Sequence, residues 1–201
     1  MYAFDPTRTT NARLVEDLAT LGYLKKEWLT LDPTYGRGRF WKLWRPKNLW
    51  MSDIDPAHDG VEWGDFTNLR WATDWFDAVV FDPPYKLNGT GGSHASDEGY
   101  AVDDKLTMRH RHDLIYDGID ECLRVLKQGG IFIMKCQDQV SSGKVRWQTI
   151  KFALYTEGGI AYRAELIDML FVCGGIPQPP GRRQVHARRN YSTALIFAKS
   201  K

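Results

Sequence analysis

Apolar positions along the chain fall into short runs that alternate with longer stretches of helical period. From Asn11 to Leu21, Leu14, Leu18 and Leu21 share one face and Gly22 follows, which predicts a helix with a glycine stop. Trp28–Asp32, Leu49–Asp53 and Phe76–Asp82 have the pattern of strands, the third almost continuously apolar. Ile115, Ile119, Leu123 and Leu126 recur at helical spacing, Gly129-Gly130 are expected to end that helix, and Ile131–Met134 follows as a buried strand. Val145–Tyr155 predicts a further helix ahead of Gly158-Gly159. Two last strands are expected around Ala164–Val172 and Thr193–Ala198, joined by a loop rich in Pro, Gly and Arg. Strands alternating with helices predict a mostly parallel sheet with both faces covered. With no repeat and no long linker, one domain spanning residues 1–201 is expected.

In such sheets ligands bind beyond the carboxyl ends of the strands, so the residues at those ends matter most. Three successive strands end in aspartate: Asp32, Asp53 and Asp82. One acidic residue after a strand is ordinarily a loop residue or a helix cap; three on adjacent parallel strands would converge on one edge. Asp32 is followed by Pro33-Thr34-Tyr35-Gly36-Arg37-Gly38, where the glycines let the backbone turn tightly and approach a ligand closely. As a dinucleotide fingerprint G-x-G-x-x-G the segment fails, because Trp41 stands at the third glycine position. No G-x-x-x-x-G-K-[ST] occurs either. Asp53 lies 21 residues beyond Asp32, near the spacing at which an acidic side chain grips ribose hydroxyls, with Asp55 a competitor. Asp82-Pro83-Pro84-Tyr85 directly follows the third strand; apart from a function, it would be a rigid two-proline turn.

Asp32-Pro-Thr-Tyr-Gly-Arg-Gly38 resembles the D-P-F-x-G-x-G motif of class I S-adenosylmethionine-dependent amino methyltransferases, departing from it at Thr34. Asp82-Pro-Pro-Tyr85 resembles their catalytic D-P-P-Y motif, and the order of the two motifs is similar to that of both the DNA adenine-N6 family and related RNA enzymes. The resemblance implies a Rossmann-like α/β fold: a seven-stranded, mostly parallel sheet with an antiparallel last strand and helices on both faces. It implies S-adenosylmethionine as cofactor, held through Asp32, Pro33, Tyr35, Gly36 and Gly38, with Asp53 on the ribose and Asp65 and Phe66 at the adenine. It also implies a catalytic role for Asp82, Pro83, Pro84 and Tyr85. The Asp82 carboxylate and Pro83 carbonyl would accept the two N–H bonds of an exocyclic base amine, and Tyr85 would stack on the base. Such a base must be flipped or already unpaired. The implied activity is a site-specific or non-specific DNA adenine-N6 methyltransferase, similar to small phage-encoded enzymes. Adenine-N6 or guanine-N2 methylation of RNA, cytosine-N4 methylation of DNA, and a non-catalytic nucleic-acid-binding subunit stand as alternatives.

Composition modifies this picture in three ways. The 201 residues carry a net charge of +2, yet from Lys144 onward ten Lys/Arg face three Asp/Glu, against 17 and 22 before that point. A basic C-terminal third suits a polyanion, and Arg182, Arg183, Arg188 and Arg189 are the expected nucleic-acid contacts, with Arg109–His112 a second basic cluster. The length leaves no room for a separate target-recognition domain, so self-association, a specificity partner or short-site action would have to substitute. Second, no apolar run approaches the roughly 20 residues of a membrane span. The N-terminal residues lack a secretory pattern, and the three cysteines (Cys122, Cys136, Cys173) show neither disulfide nor zinc spacing. A cytoplasmic location, no metal and cysteines in the core are expected. Third, most of the eight tryptophans are expected to fill or cover the core. The polar, glycine-rich segment Lys86–Met108 would act as a lid, with Phe4-Asp5 near the cofactor.

Overall fold

The computed structural model describes residues 7–85, 108–141, 143–159, 162–174, 186–187 and 189–200. The proposed lid apart from Met108, Phe4-Asp5, and Arg182, Arg183 and Arg188 lie outside these residues. In chain order the elements are β1 (Thr7–Arg8), α1 (Asn11–Thr20), β2 (Leu29–Asp32), β3 (Asn48–Asp53), β4 (Glu62–Trp63) and β5 (Phe76–Phe81). Then come α2 (Met108–Val125), β6 (Leu126–Cys136), β7 (Gln139–Ser141), β8 (Lys144–Arg146), α3 (Gln148–Gly158), β9 (Ala164–Cys173) and β10 (Tyr191–Lys199).

One sheet of eight strands runs β1-β9-β10-β6-β5-β2-β3-β4. Every neighbouring pair is parallel except those made by β10, which lies antiparallel between β6 and β9. The α/β class, the parallel sheet and the antiparallel last strand agree with expectation; the strand number does not. The sheet has eight strands rather than seven, and both of its edge strands are only two residues long. Elements that short carry no alternation for a hydrophobic pattern to reveal.

The central strands are apolar on both sides because each side meets helix. Phe76, Val79 and Phe81 of β5, with Phe132 and Met134 of β6, enter one cluster with Ile115, Ile119 and Leu123 of α2 and Phe152 of α3. Ala78, Val80 and Ile133 point the other way, onto Leu14, Val15 and Leu18 of α1 and onto Phe40 and Trp41. Residues two apart on a strand share a face, and this alternation divides the core into its two layers. The α1 helix starts where Thr10 Oγ1 accepts from Arg13 N at 3.2 Å and stops before Gly22 at φ 90°.

Two other boundaries differ from expectation. α2 ends at Val125, before Gly129-Gly130, because the Arg124 and Val125 carbonyls accept from Asp74 N and Trp75 N at 3.0 and 2.8 Å. Leu126 then pairs with Phe76, and pairing resumes at Ala78 with Ile131, so the two glycines lie in an irregularity inside β6. The helix expected from Val145 begins only at Gln148. Val145 pairs with Val140 in the β7–β8 hairpin, and Asp138 Oδ1 accepts from Thr149 N at 2.9 Å at the start of α3. Cys122 and Cys136 are buried as expected, but Cys173 is exposed. Trp41 is buried, whereas Trp50, Trp63, Trp75 and Trp147 are exposed, so half of the tryptophans are not core. Among the described residues no helix is long and apolar enough to cross a membrane.

A Cβ on Gly118 of α2 would sit 2.7 Å from both Phe66 Cδ2 and Phe81 Cζ. Gly118→Val is therefore expected to destabilise the fold by about 2 kcal/mol through overpacking, measured by urea denaturation.

Candidate active site at the carboxyl edge of the sheet

β3, β2 and β5 are neighbours in the sheet and run parallel, so Asp53, Asp32 and Asp82 emerge together at one edge. Asp32 is almost wholly buried (2% exposed). Its Oδ2 accepts from the Trp41 indole Nε1 at 2.7 Å, and its Oδ1 accepts from Thr34 N at 3.0 Å. Burial nevertheless pushes its carboxyl up to about 7, and the nearby Asp82 and Asp53 add to the effect.

The turn that follows is held from the next strand. Asp53 Oδ2 accepts from Gly36 N at 2.7 Å and its Oδ1 from Asp55 N at 3.0 Å, while Tyr35 N donates to Ser52 O at 3.1 Å. Gly36 and Gly38 have φ of 52° and 63°, a region that side chains disfavour. Any Cβ on Gly38 would also meet the Tyr35 ring, 2.7 Å from Cζ. Asp65 Oδ1 accepts from Thr67 N and Thr67 Oγ1, both at 2.8 Å, which closes a tight turn. Phe66 makes an edge contact with Phe81 at 5.2 Å and lies against Gly118, so its ring is partly committed to the core.

Pro83 is buried, and Asp82, Pro84 and Tyr85 are half-buried. Asp82 N donates to Thr34 Oγ1 at 2.8 Å, and that hydroxyl lies 3.4 Å from Asp32 Oδ1. Thr34, the position at which the first motif departs from the family pattern, thus joins the two motifs directly. Asp82 Oδ1 is a buried atom with no hydrogen-bond partner among the described residues; the Lys135 ammonium stands 3.7 Å away. Burial raises the Asp82 carboxyl, and Lys135 opposes the rise. Lys135 is itself only 5% exposed, lies 3.5 Å from the Tyr85 hydroxyl and faces the Tyr85 ring at 5.6 Å.

Two residues of this site escaped the sequence reasoning. Lys135 was signalled by its place, a cation inside the apolar run of β6. Gln148, 1% exposed, donates from Nε2 to Tyr85 O at 2.9 Å and to Gln137 O at 2.6 Å, fixing the segment after Asp82. A glutamine opening a helix carries no comparable signal. Of the arginines expected at nucleic acid, Arg189 is described, and its guanidinium lies 4.7 Å over the Trp147 ring. Among the described residues no cluster of three or more His, Cys, Asp or Glu could hold a metal ion.

No family profile matches the chain, and no curated protein matches it. Solved structures do. The N-methyltransferase NodS from Bradyrhizobium japonicum WM9, in complex with S-adenosyl-l-homocysteine, is 12% identical with a TM-score of 0.54, covering 96% of this chain and 89% of its own. TrmN from Thermus thermophilus is 16% identical with a TM-score of 0.53, covering 92% of this chain and 48% of its own. At such identities the likeness establishes the fold: the chain has the Rossmann-like α/β fold of these methyltransferases.

The buried carboxylates make stability depend on pH. A folded-state pKa raised above the unfolded value near 3.9 stabilises fully below that value, and the contribution is lost as pH rises through the folded pKa. For Asp32 the window is about pH 4 to 7. Urea denaturation at successive pH values is expected to show stability falling across it. Asp32→Asn should flatten part of the slope and Asp32→Asn with Asp82→Asn more of it, whatever constant offset each adds.

Proposed function

We propose that this chain is an S-adenosylmethionine-dependent methyltransferase acting on the exocyclic N6 amine of adenine in DNA. The observation that carries the proposal is the buried Oδ1 of Asp82, which accepts no hydrogen bond among the described residues and has only the Lys135 ammonium at 3.7 Å there, beside the turn that Asp53 and Asp32 brace. The cofactor's fit rests on that turn: an open, Cβ-free approach at Gly36, with acidic groups on three strand ends that are neighbours in the sheet. Asp32, Pro33, Tyr35, Gly36, Gly38, Asp53, Asp65 and Phe66 are the residues assigned to hold it. When bound, S-adenosylmethionine supplies an electrophilic methyl group. The solved NodS, an N-methyltransferase carrying the demethylated cofactor, supports both the cofactor and nitrogen as the acceptor.

The protein's own task is to make a poor nucleophile react. The lone pair of an aromatic amine is delocalised into the ring, and two acceptors placed on its N–H bonds draw it out of conjugation. Asp82 Oδ1 takes one N–H and the Pro83 carbonyl the other, while Tyr85 stacks on the base. The two prolines fix φ, so both acceptors are in position before the substrate arrives. The amine gains a methyl group and loses one proton, and Asp82 is placed at the point where that proton departs. Lys135 favours the charged form of Asp82, which burial alone would suppress. A base paired in a duplex cannot reach this depth, so it is flipped out or taken from a single strand. Arg189, with Arg182, Arg183 and Arg188, is assigned to phosphate contact.

Incubation with labelled cofactor and DNA or RNA, followed by nucleoside mass spectrometry, tests the proposal. N6-methyladenine in DNA is expected. Label in RNA, in guanine or in cytosine would redirect it, and a protein that binds cofactor and nucleic acid without transfer would be a non-catalytic subunit. Asp82→Ala should lower transfer at least about a hundredfold and leave cofactor binding intact. Lys135→Met should move the acid limb of the pH–rate profile to higher pH, because the Asp82 carboxylate loses the cation 3.7 Å from it. Lys135→Arg should restore it.

A further inference from the structure

A second concavity opens beside the candidate active site, between α2, β8 and α3. It measures about 230 Å³ and is lined by His112, Arg146, Trp147, Gln148 and Lys151, with Met108 and Val145. Three observations give it a chemical character. Arg146 and Lys151 line it, and among the described residues no lining residue carries a carboxylate and Arg146 Nε is buried without a hydrogen-bond partner. Trp147 is 50% exposed, with the Arg189 guanidinium over its ring. A stacking surface flanked by cations is how proteins hold single-stranded nucleic acid.

The third observation is a hydrogen-bond chain that ties this concavity to the catalytic segment. Lys151 Nζ lies 3.1 Å from His112 Nδ1, and His112 Nε2 lies 3.2 Å from Gln148 Oε1. Gln148 Nε2 in turn donates to the Tyr85 carbonyl. A lysine ammonium can only donate, and the glutamine oxygen can only accept. His112 is therefore the neutral tautomer with its proton on Nε2. Burial and the neighbouring Lys151 both hold its pKa below the usual histidine range. The side chain that borders the concavity is thus the one that holds the backbone of Tyr85.

We propose that this concavity is a subsite for the nucleotide adjacent to the target base in a polynucleotide chain. Arg146 and Lys151 engage its phosphate, and Trp147 stacks on its base. The inference rests on the methyltransferase reading above and adds to it the form of the substrate. The polynucleotide is bound as an unpaired strand with two neighbouring nucleotides in separate pockets, one at Asp82–Tyr85 and one at Trp147. Gln148 sets the spacing between them.

Fluorescence anisotropy of end-labelled single-stranded DNA and RNA oligonucleotides, titrated with the full chain over a range of salt, tests this. Lys151→Ala and Arg146→Ala are each expected to weaken binding about tenfold and to reduce the salt slope by about 0.7, the value for one phosphate contact on a single strand. Trp147→Ala should weaken binding about tenfold with the slope unchanged, and Trp147→Phe should recover most of the loss. Cofactor affinity, measured on the same proteins, confirms that each variant is folded. Variants that bind cofactor and retain wild-type oligonucleotide affinity and slope would overturn the subsite, even if the wild type methylates DNA. A wild type that binds oligonucleotide through these residues but transfers no methyl group would instead overturn the methyltransferase reading and leave the subsite standing. The DNA and RNA arms identify which strand supplies the nucleotide.

Discussion

The arrangement of the carboxyl edge depends on how one buried carboxylate, Asp32, is satisfied. Removed from water, it needs donors, and two are supplied by the chain that follows it: the Trp41 indole and the Thr34 amide. To bring Trp41 back over Asp32 the chain must reverse within a few residues. That reversal is the turn through Gly36 and Gly38, both at positive φ. Thr34, positioned by the same turn, offers its hydroxyl to the Asp82 amide on the neighbouring strand end. Asp53 closes the arrangement from the other side by accepting from Gly36 N. Three strand ends are thereby joined through a single turn, before any ligand is considered.

That linkage changes the meaning of two sequence features. Trp41 appeared only as the residue that spoils a dinucleotide fingerprint. In the structure it is the donor that makes a buried Asp32 tenable, so the side chain that excludes a dinucleotide-binding turn holds a different turn in place. Thr34 appeared as a departure from a family motif. Its hydroxyl does what a phenylalanine cannot, accepting the Asp82 amide hydrogen and reaching toward Asp32.

Legibility followed from how local each signal is. The central strands and α1 were evident because Leu14, Leu18, Phe76–Phe81 and Ile131–Met134 repeat at the period of their element and meet a core on the expected side. The Asp32, Asp53 and Asp82 strand ends were evident because each directly follows its apolar run. The edge strand β1 and the end of α2 are set by partners distant in sequence, Phe171 for Thr7 and Asp74 and Trp75 for the last carbonyls of α2, while the β7–β8 hairpin and the start of α3 depend on a short pairing and on Asp138, which leave little periodic trace. Lys135 and Gln148 belong to the same category. Their importance lies in what they face, Asp82 and the Tyr85 carbonyl, and those contacts span 53 and 63 residues of sequence.

The placing of β10 between β6 and β9 also constrains the order in which the chain can assemble. Among the described residues, β9 has no partner in the main body of the sheet except β10, and β1 is attached only through β9. Thr7 therefore joins the main body of the sheet only once residues 191–199 link β9 to β6. Until then the inner edge of β6 presents Ile131–Cys136 as an open ladder of backbone donors and acceptors. The strands β2, β3, β5 and β6 can pair without β10, but the sheet becomes continuous only when β10 has paired with both β6 and β9. The two halves of the sheet are joined by their final segment, so sheet closure is a late event, and the exposed edge of β6 is the vulnerable surface in the interval before it.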